Sequence, residues 1–325
     1  MKIRRRIPTA GLIAVTLLLG SGVQAEMINL TAEDQPDGTI PGSSCPPQGG
    51  GTNCVAAATS GSITDSARGT VTFLVDHEQP TGTGVLDPFL RVQQPNANQT
   101  NEQGYNTSGG TPLDDKPPPG VWTRDLLMAD LLKVALDSGG NGYQFLLDID
   151  EKKAGSNSLL SLDGLKLYAV NFGSSPIGEA TDSNGNWVID PTEFSDTPKL
   201  LWDMDADADN AVLLDSNRLI PGSCEAGKCE YNPPGNGTLD MRMEVPDTII
   251  TDTVVSNYKY FILWSRFGLL DPTNGGSKST DSFEEWAARV CTECDVAPPS
   301  DVPVPAPLVL LGTGLALLGW RARRR

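Results

Sequence analysis

The seven residues from Leu239 to Val245, LDMRMEV, limit the fold more than any other stretch. Leu239, Met241, Met243 and Val245 share one parity, and Asp240, Arg242 and Glu244 share the other. Side chains of a strand alternate between faces, so this pattern reads as a strand buried on one side in an antiparallel sheet. Further strand-like runs are Gly69 to Val75, Pro88 to Val92, Leu200 to Trp202, Ala211 to Leu214 and Tyr258 to Trp264. Tyr143 to Ile149 and Leu162 to Val170 read as paired strands around the charged connection 150–158. Leu126 to Leu136 fits a helix or a strand equally. Ser282 to Val290 reads as one short helix near the C-terminus, with Ser282 as cap and Glu285 three residues on. No internal repeat is visible, which argues against a propeller or solenoid. The expected fold is mainly β: an antiparallel β-sandwich, jelly-roll-like, with long loops and that one helix. The 34 Gly and 25 Pro supply its turns.

Both ends of the chain read as processing segments. Lys2, Arg4, Arg5 and Arg6 precede an apolar run from Ala10 to Gly20, and Val23-Gln24-Ala25 ends in small residues. This is the pattern of a secretory signal peptide cut after Ala25. At the other end, Val302-Pro303-Val304-Pro305 precedes an apolar run from Ala306 to Trp320 and then Arg321, Arg323, Arg324 and Arg325. The run is shorter than the ~20 residues that a stable span prefers, and the arginines resist translocation. An ordinary C-terminal transmembrane helix is the competing reading. The segments then divide as signal peptide 1–25, a Gly/Pro/Cys arm 26–66, a sandwich domain 67–295, a proline-rich spacer 296–305, and an apolar helix with an arginine tail 306–325.

The order of proline motif, short apolar run and arginine tail resembles the PEP-CTERM sorting signal of exported bacterial proteins, in a variant with Val304 in place of the usual Glu. The runs FLLDIDE (Phe145 to Glu151), LLSLDGLKLY (Leu159 to Tyr168) and YKYFILWSRFG (Tyr258 to Gly268) also resemble exported members of that group, whose biochemical role is unassigned. The resemblance implies transient insertion in the inner membrane, cleavage by an exosortase-type protease, and residence at the cell surface or outside the cell. It carries no catalytic motif.

The formal charge of −17 belongs to a chain whose two end segments each carry four basic and no acidic residues, so the part between them is more acidic still. Such a surface repels nucleic acid and attracts cations. The six cysteines, in an exported chain, read as disulfides. Their spacing suggests Cys45 with Cys54, Cys224 with Cys229 and Cys291 with Cys294, although six cysteines allow 15 pairings. A zinc site from Cys224, Cys229, Cys291 and Cys294, or a redox pair at Cys291 and Cys294, are the alternatives.

Two acidic stretches have the chemistry of a calcium site. In Asp182-Ser-Asn184-Gly-Asn186-Trp-Val188-Ile-Asp190-Pro-Thr-Glu193, oxygen donors fall at loop positions 1, 3, 5, 9 and 12, with the Val188 carbonyl at 7. This resembles an EF-hand or dockerin-type loop, which spreads oxygens around a hard cation. Trp187 stands where such loops carry glycine. The second stretch sets Asp203, Asp205, Asp207 and Asp209 two apart, on one face if extended. Like charges that close need solvent or a cation. The alternative for both is a solvated acidic turn.

Catalysis finds little support. His77 is the only histidine, and no Gly-x-Ser-x-Gly elbow or phosphate-cradling loop occurs. A glycosidase needs two carboxylates, which an acidic chain supplies without pointing to any pair. The expected function is a calcium-stabilised structural or interaction protein of the extracellular matrix or biofilm. The alternatives are a carbohydrate-binding module that recognises exopolysaccharide through an exposed tryptophan and, less favoured, a polysaccharide-active enzyme.

Overall fold

The structure is a computed structural model. It describes residues 26–30, 59–76, 87–93, 101–110, 113–115, 118, 120–149, 159–171, 179–181, 187–189, 198–216, 239–269 and 283–290. In chain order the strands are β1 (Met27–Asn29), β2 (Ser60–Asp65), β3 (Gly69–Val75), β4 (Pro88–Val92), β5 (Glu102–Tyr105), β6 (Leu126–Leu127), β7 (Val134–Ala135), β8 (Asn141–Ile149) and β9 (Leu159–Val170). They continue with β10 (Glu179–Thr181), β11 (Trp187–Ile189), β12 (Lys199–Asp203), β13 (Ala211–Asp215), β14 (Met241–Pro246), β15 (Tyr260–Phe267) and β16 (Glu284–Ala288).

Two sheets carry the fold. The first runs β1-β13-β9-β15-β5, with β12 also on β9 and β6 also on β15; the second runs β2-β3-β14-β8-β16-β4, with β7 also on β8. All pairs are antiparallel except the edge pair β1 with β13. The inner faces meet through Phe145 of β8 and Phe261 of β15, whose rings stack at 4.8 Å and 15°. Trp286 of β16 is fully buried and donates from Nε1 to Ser265 Oγ of β15 at 3.1 Å. The core is therefore a dry aliphatic and aromatic layer between two sheets, as a sandwich requires.

The alternation in LDMRMEV holds on the inner face, where Leu239, Met241, Met243 and Val245 are buried. The outer face is not open as expected. Glu244 is fully buried, because the turn between β7 and β8 folds over it and donates the backbone N–H groups of Asp137 and Ser138 to its carboxylate. Gln144 Nε2 adds a third bond at 2.9 Å. Burial pushes the Glu244 carboxyl up, but these hydrogen bonds outweigh it and hold the group below its usual value.

Three expectations need correction. Ser282 to Val290 is not a helix: Glu284–Ala288 is a strand between β8 and β4, and Ser282 lies outside the described residues. Both edges of the segment are satisfied by ladders, and Glu285 binds Arg91 on β4 rather than a helix N-terminus. Tertiary pairing overrides a local capping signature. The one α-helix among the described residues is α1 (Asp252–Asn257), capped by Thr251, whose Oγ1 accepts from Val254 N at 3.2 Å. Tyr143 to Ile149 and Leu162 to Val170 are strands, but they lie in different sheets and do not pair. Finally, both ends of the expected arm 26–66 belong to the sandwich, as the edge strands β1 and β2. The ambiguous stretch Leu126 to Leu136 resolves into β6, a 3-10 turn over Met128–Asp130, and β7.

Candidate functional site

The acidic loop between β12 and β13 joins the two sheets at one end. It is not extended, so its four carboxylates do not share one face. Asp203 Oδ1 accepts from Asp205 N at 3.0 Å, and Asp205 Oδ1 accepts from Asn210 N at 3.0 Å. Asn210 Nδ2 donates to the Met204 carbonyl at 2.6 Å, and its Oδ1 accepts from Glu26 N at 2.7 Å. Asp207 reaches the other sheet: its oxygens accept from Ser66 N at 2.7 Å and Ser66 Oγ at 2.8 Å, in the turn between β2 and β3. Asp65, at the end of β2, accepts from Asp203 N at 3.2 Å and pairs with Arg68 at 2.9 Å. Trp202 Nε1 donates to the carbonyl of Gly69 at 3.1 Å. Gly69 sits at φ +125°, a conformation that glycine adopts without a Cβ penalty, and so lets the turn present this carbonyl.

Asp205 is the centre of electrostatic tension. Its Oδ2 is buried without a hydrogen-bond partner, and lies 3.6 Å from where a Cβ on Gly164 of β9 would stand. Burial pushes its carboxyl up to about 7, with Asp203 and Asp209 adding to the rise, against the Asn210 N–H and the Arg266 guanidinium. Asp163, the residue before Gly164 in β9, stands at a slip in register: Arg266 pairs with Gly164 and Phe267 with Leu162, which leaves Asp163 as the extra residue. Burial raises its carboxyl too, with Asp209 adding to the rise, against bonds from Leu269 N at 2.7 Å and Ser161 Oγ at 2.8 Å and against the Arg266 charge. Lys166 Nζ stands 3.4 Å from Asp203 Oδ2. Asp209 is exposed.

Spacing pointed to Asp203, Asp205, Asp207 and Asp209, and the structure keeps Asp203 and Asp205 together while turning Asp207 to Ser66. It adds Asp65, Asp163, Lys166 and Arg266, which no local motif marks because they come from other strands. Among the described residues, no group of three or more His, Cys, Asp or Glu side chains is arranged to hold a metal ion.

In the other acidic stretch, β10 pairs with β11 in a two-stranded ribbon, so Trp187, Val188 and Ile189 lie on a hairpin arm. Asp182, Asn184, Asn186, Asp190 and Glu193 lie outside the described residues. So do His77, all six cysteines, Ala25 and the motif Val302 to Pro305. Among the described residues, no helix is long and apolar enough to cross a membrane.

Trp202, Trp264 and Trp286 are fully buried, whereas Trp122 is 36% exposed, beside Val121 at 53%. Trp122 rests on the guanidinium of Arg91, 3.9 Å from its ring centroid, and Phe283 covers the same guanidinium at 4.1 Å. Arg91 is ion-paired with Glu285, so the stack is held from below. Compared with models of protein families and with curated proteins, the chain matches none.

Proposed function

We propose that this chain is an exported β-sandwich, delivered by its signal peptide and sorted by its proline-motif tail, that serves as a calcium-stabilised structural or interaction protein outside the cell. The observation that carries the cation role is Asp205. A carboxylate with one buried, unpartnered oxygen, under the charges of Asp203 and Asp209, is costly to ionise, and a hard cation offsets that cost. The loop is also the tie between the sheets, through Asp207 and Ser66. Calcium at this end therefore stabilises the whole sandwich rather than one turn. Outside a cell, even sites with dissociation constants of about 10⁻⁴–10⁻³ M fill.

The test is the melting temperature of the wild type and of the Asp203→Asn, Asp205→Asn double variant, with millimolar calcium and with chelator. The reading requires a calcium-dependent rise in the wild type that shrinks in the variant. A wild type indifferent to calcium sinks it.

A second reading, carbohydrate binding, is favoured by the Trp122 stack. A partly exposed aromatic ring backed by Arg91 suits the apolar face of a sugar ring. Retention on exopolysaccharide by the wild type, lost in Trp122→Ala, supports it; equal retention of both rejects it.

A further inference from the structure

The outer edges of the two sheets are not treated alike. Along β4, Arg91 N donates to Thr123 Oγ1 at 3.2 Å, Thr123 Oγ1 donates back to the Arg91 carbonyl at 3.2 Å, and Arg124 N donates to the Phe89 carbonyl at 2.9 Å. Along β5, Asp114 N donates to the Gln103 carbonyl at 3.0 Å, and Gln103 N donates to Asp114 Oδ2 at 3.0 Å. Both edges are therefore closed by a loop.

β2, at the opposite end of the second sheet from β4, has no such cover. Its ladder to β3 fixes which way its backbone points. Thr59, just before the strand, accepts from Val75 N at 2.9 Å, and Asp65 pairs with Gly69 at the turn. Hydrogen-bonding direction alternates along a strand, so Thr59, Gly61, Ile63 and Asp65 bond to β3. Ser60, Ser62 and Thr64 then turn their N–H and C=O groups outward. Among the described residues, nothing bonds to these outward groups. Ser60 and Thr64 are exposed.

An open edge invites another strand, and sheets that stay alone blunt it with proline, lysine, a bulge or a charge. SGSITD has no proline or lysine, and its register with β3 runs without a bulge. Its one charge, Asp65, sits at the end of the strand, buried and paired with Arg68 at 2.9 Å. The strand is also held in place. Ile63 is in the core, and Gly61 gives room to Ile28 of β1, which lies 2.6 Å from where a Cβ would stand. On the outer face Ser62 Oγ meets Thr72 Oγ1, and Thr64 Oγ1 meets Thr70 Oγ1, each at 2.9 Å. This edge is neutral, unguarded and already extended.

We propose that β2 is a self-association edge, at which two copies of this chain pair antiparallel about a two-fold axis at Ser62 and join their second sheets into one. The strand's own residues select a second copy. With the axis at Ser62, that residue meets Ser62 of the second copy, and Ser60 meets Thr64 of the second copy. All three outward-facing residues then find outward-facing partners, and each N–H finds a C=O. A slip of one residue sets outward groups against inward ones, and larger slips lose pairs. The side chains that meet on the outer face are hydroxyls, which continue the row from Thr72 to Ser62 into the second copy. Asp65 falls opposite Thr59, so no carboxylate faces another in a chain of formal charge −17. The interface is isologous and closed, and its short length makes it a weak, concentration-dependent one.

The test is sedimentation of the full chain from micromolar to millimolar concentration, for the wild type, Ser62→Ala and Ser62→Pro, with melting to check the fold. Proline at 62 removes an outward N–H and leaves the bonds to β3 in place. The wild type and Ser62→Ala should shift from monomer to dimer as concentration rises, and Ser62→Pro should stay monomeric. Oxidative cross-linking gives a readout that does not depend on the proline. In the proposed register, paired Cα atoms at 62 stand about 5.5 Å apart, within reach of a disulfide, whereas those at 60 stand roughly 14 Å apart. Ser62→Cys should therefore give covalent dimers above the wild-type background, and Ser60→Cys should not. A wild type that stays monomeric while Ser62→Cys yields no dimer overturns the proposal. Dimers that persist in a folded Ser62→Pro overturn it too, since association then runs through another surface such as the apolar ends. Equal cross-linking at 60 and 62 rejects the register and with it the two-fold pairing.

Discussion

Replacing Asp205 by Asn isolates the cost of the buried carboxylate. In the folded chain burial pushes this carboxyl from 3.8 up to about 7. A group whose folded value is raised holds its proton more tightly in the folded state. Its stabilising contribution is therefore complete below about pH 4 and is lost as pH rises through about 7. A rise from 3.8 to about 7 corresponds to at most about 4 kcal/mol between those limits. Asn keeps an acceptor for Asn210 N but places an amide where Oδ2 lies buried near Gly164, which costs roughly 1–3 kcal/mol. Asp205→Asn should thus be neutral to destabilising by about 2 kcal/mol at pH 5, and more stable than the wild type by about 1–3 kcal/mol at pH 8 in chelator. Urea denaturation at fixed ionic strength from pH 5 to 9 reads this crossover. Parallel stability profiles for the two proteins refute the reasoning.

Other predictions concern the frame around the site. Glu244→Gln should cost about 1–3 kcal/mol at pH 7 by urea denaturation. Because the Glu244 carboxyl is held low, the wild type should lose this contribution only as pH falls below about 4.5, and the variant should lack that acid limb. Phe145→Ala removes a ring stacked across both sheets and should cost about 3–5 kcal/mol in the same assay. Arg91→Ala breaks the ion pair with Glu285 and the support under Trp122, and should cost about 3 kcal/mol while shifting the tryptophan emission to the red.

The strands were legible wherever one face is apolar and alternates, as at Met241 and Met243 or at Phe73 and Val71. Faces that other segments cover were not. Nothing near Glu244 announces that the 137–138 turn will enclose it. The Ser282 and Glu285 signature is local, while the partner of Glu285 is Arg91, from a strand far earlier in the chain. The long connection between β8 and β9 crosses from one sheet to the other, which length and charge alone do not distinguish from a hairpin. At the site, spacing revealed the density of charge from Asp203 to Asp209. The tension at Asp205 depends on Gly164 and Arg266 of the neighbouring strands, and only tertiary structure brings these together.

Hydrogen exchange at the 203–210 loop and the 65–68 turn, with millimolar calcium and with chelator at pH 7.5, bears most directly on the central claim. If an external cation tightens the tie between the two sheets, the amides of Ser66, Asp205 and Asn210 exchange more slowly in calcium. Identical exchange of these amides in both conditions contradicts the account.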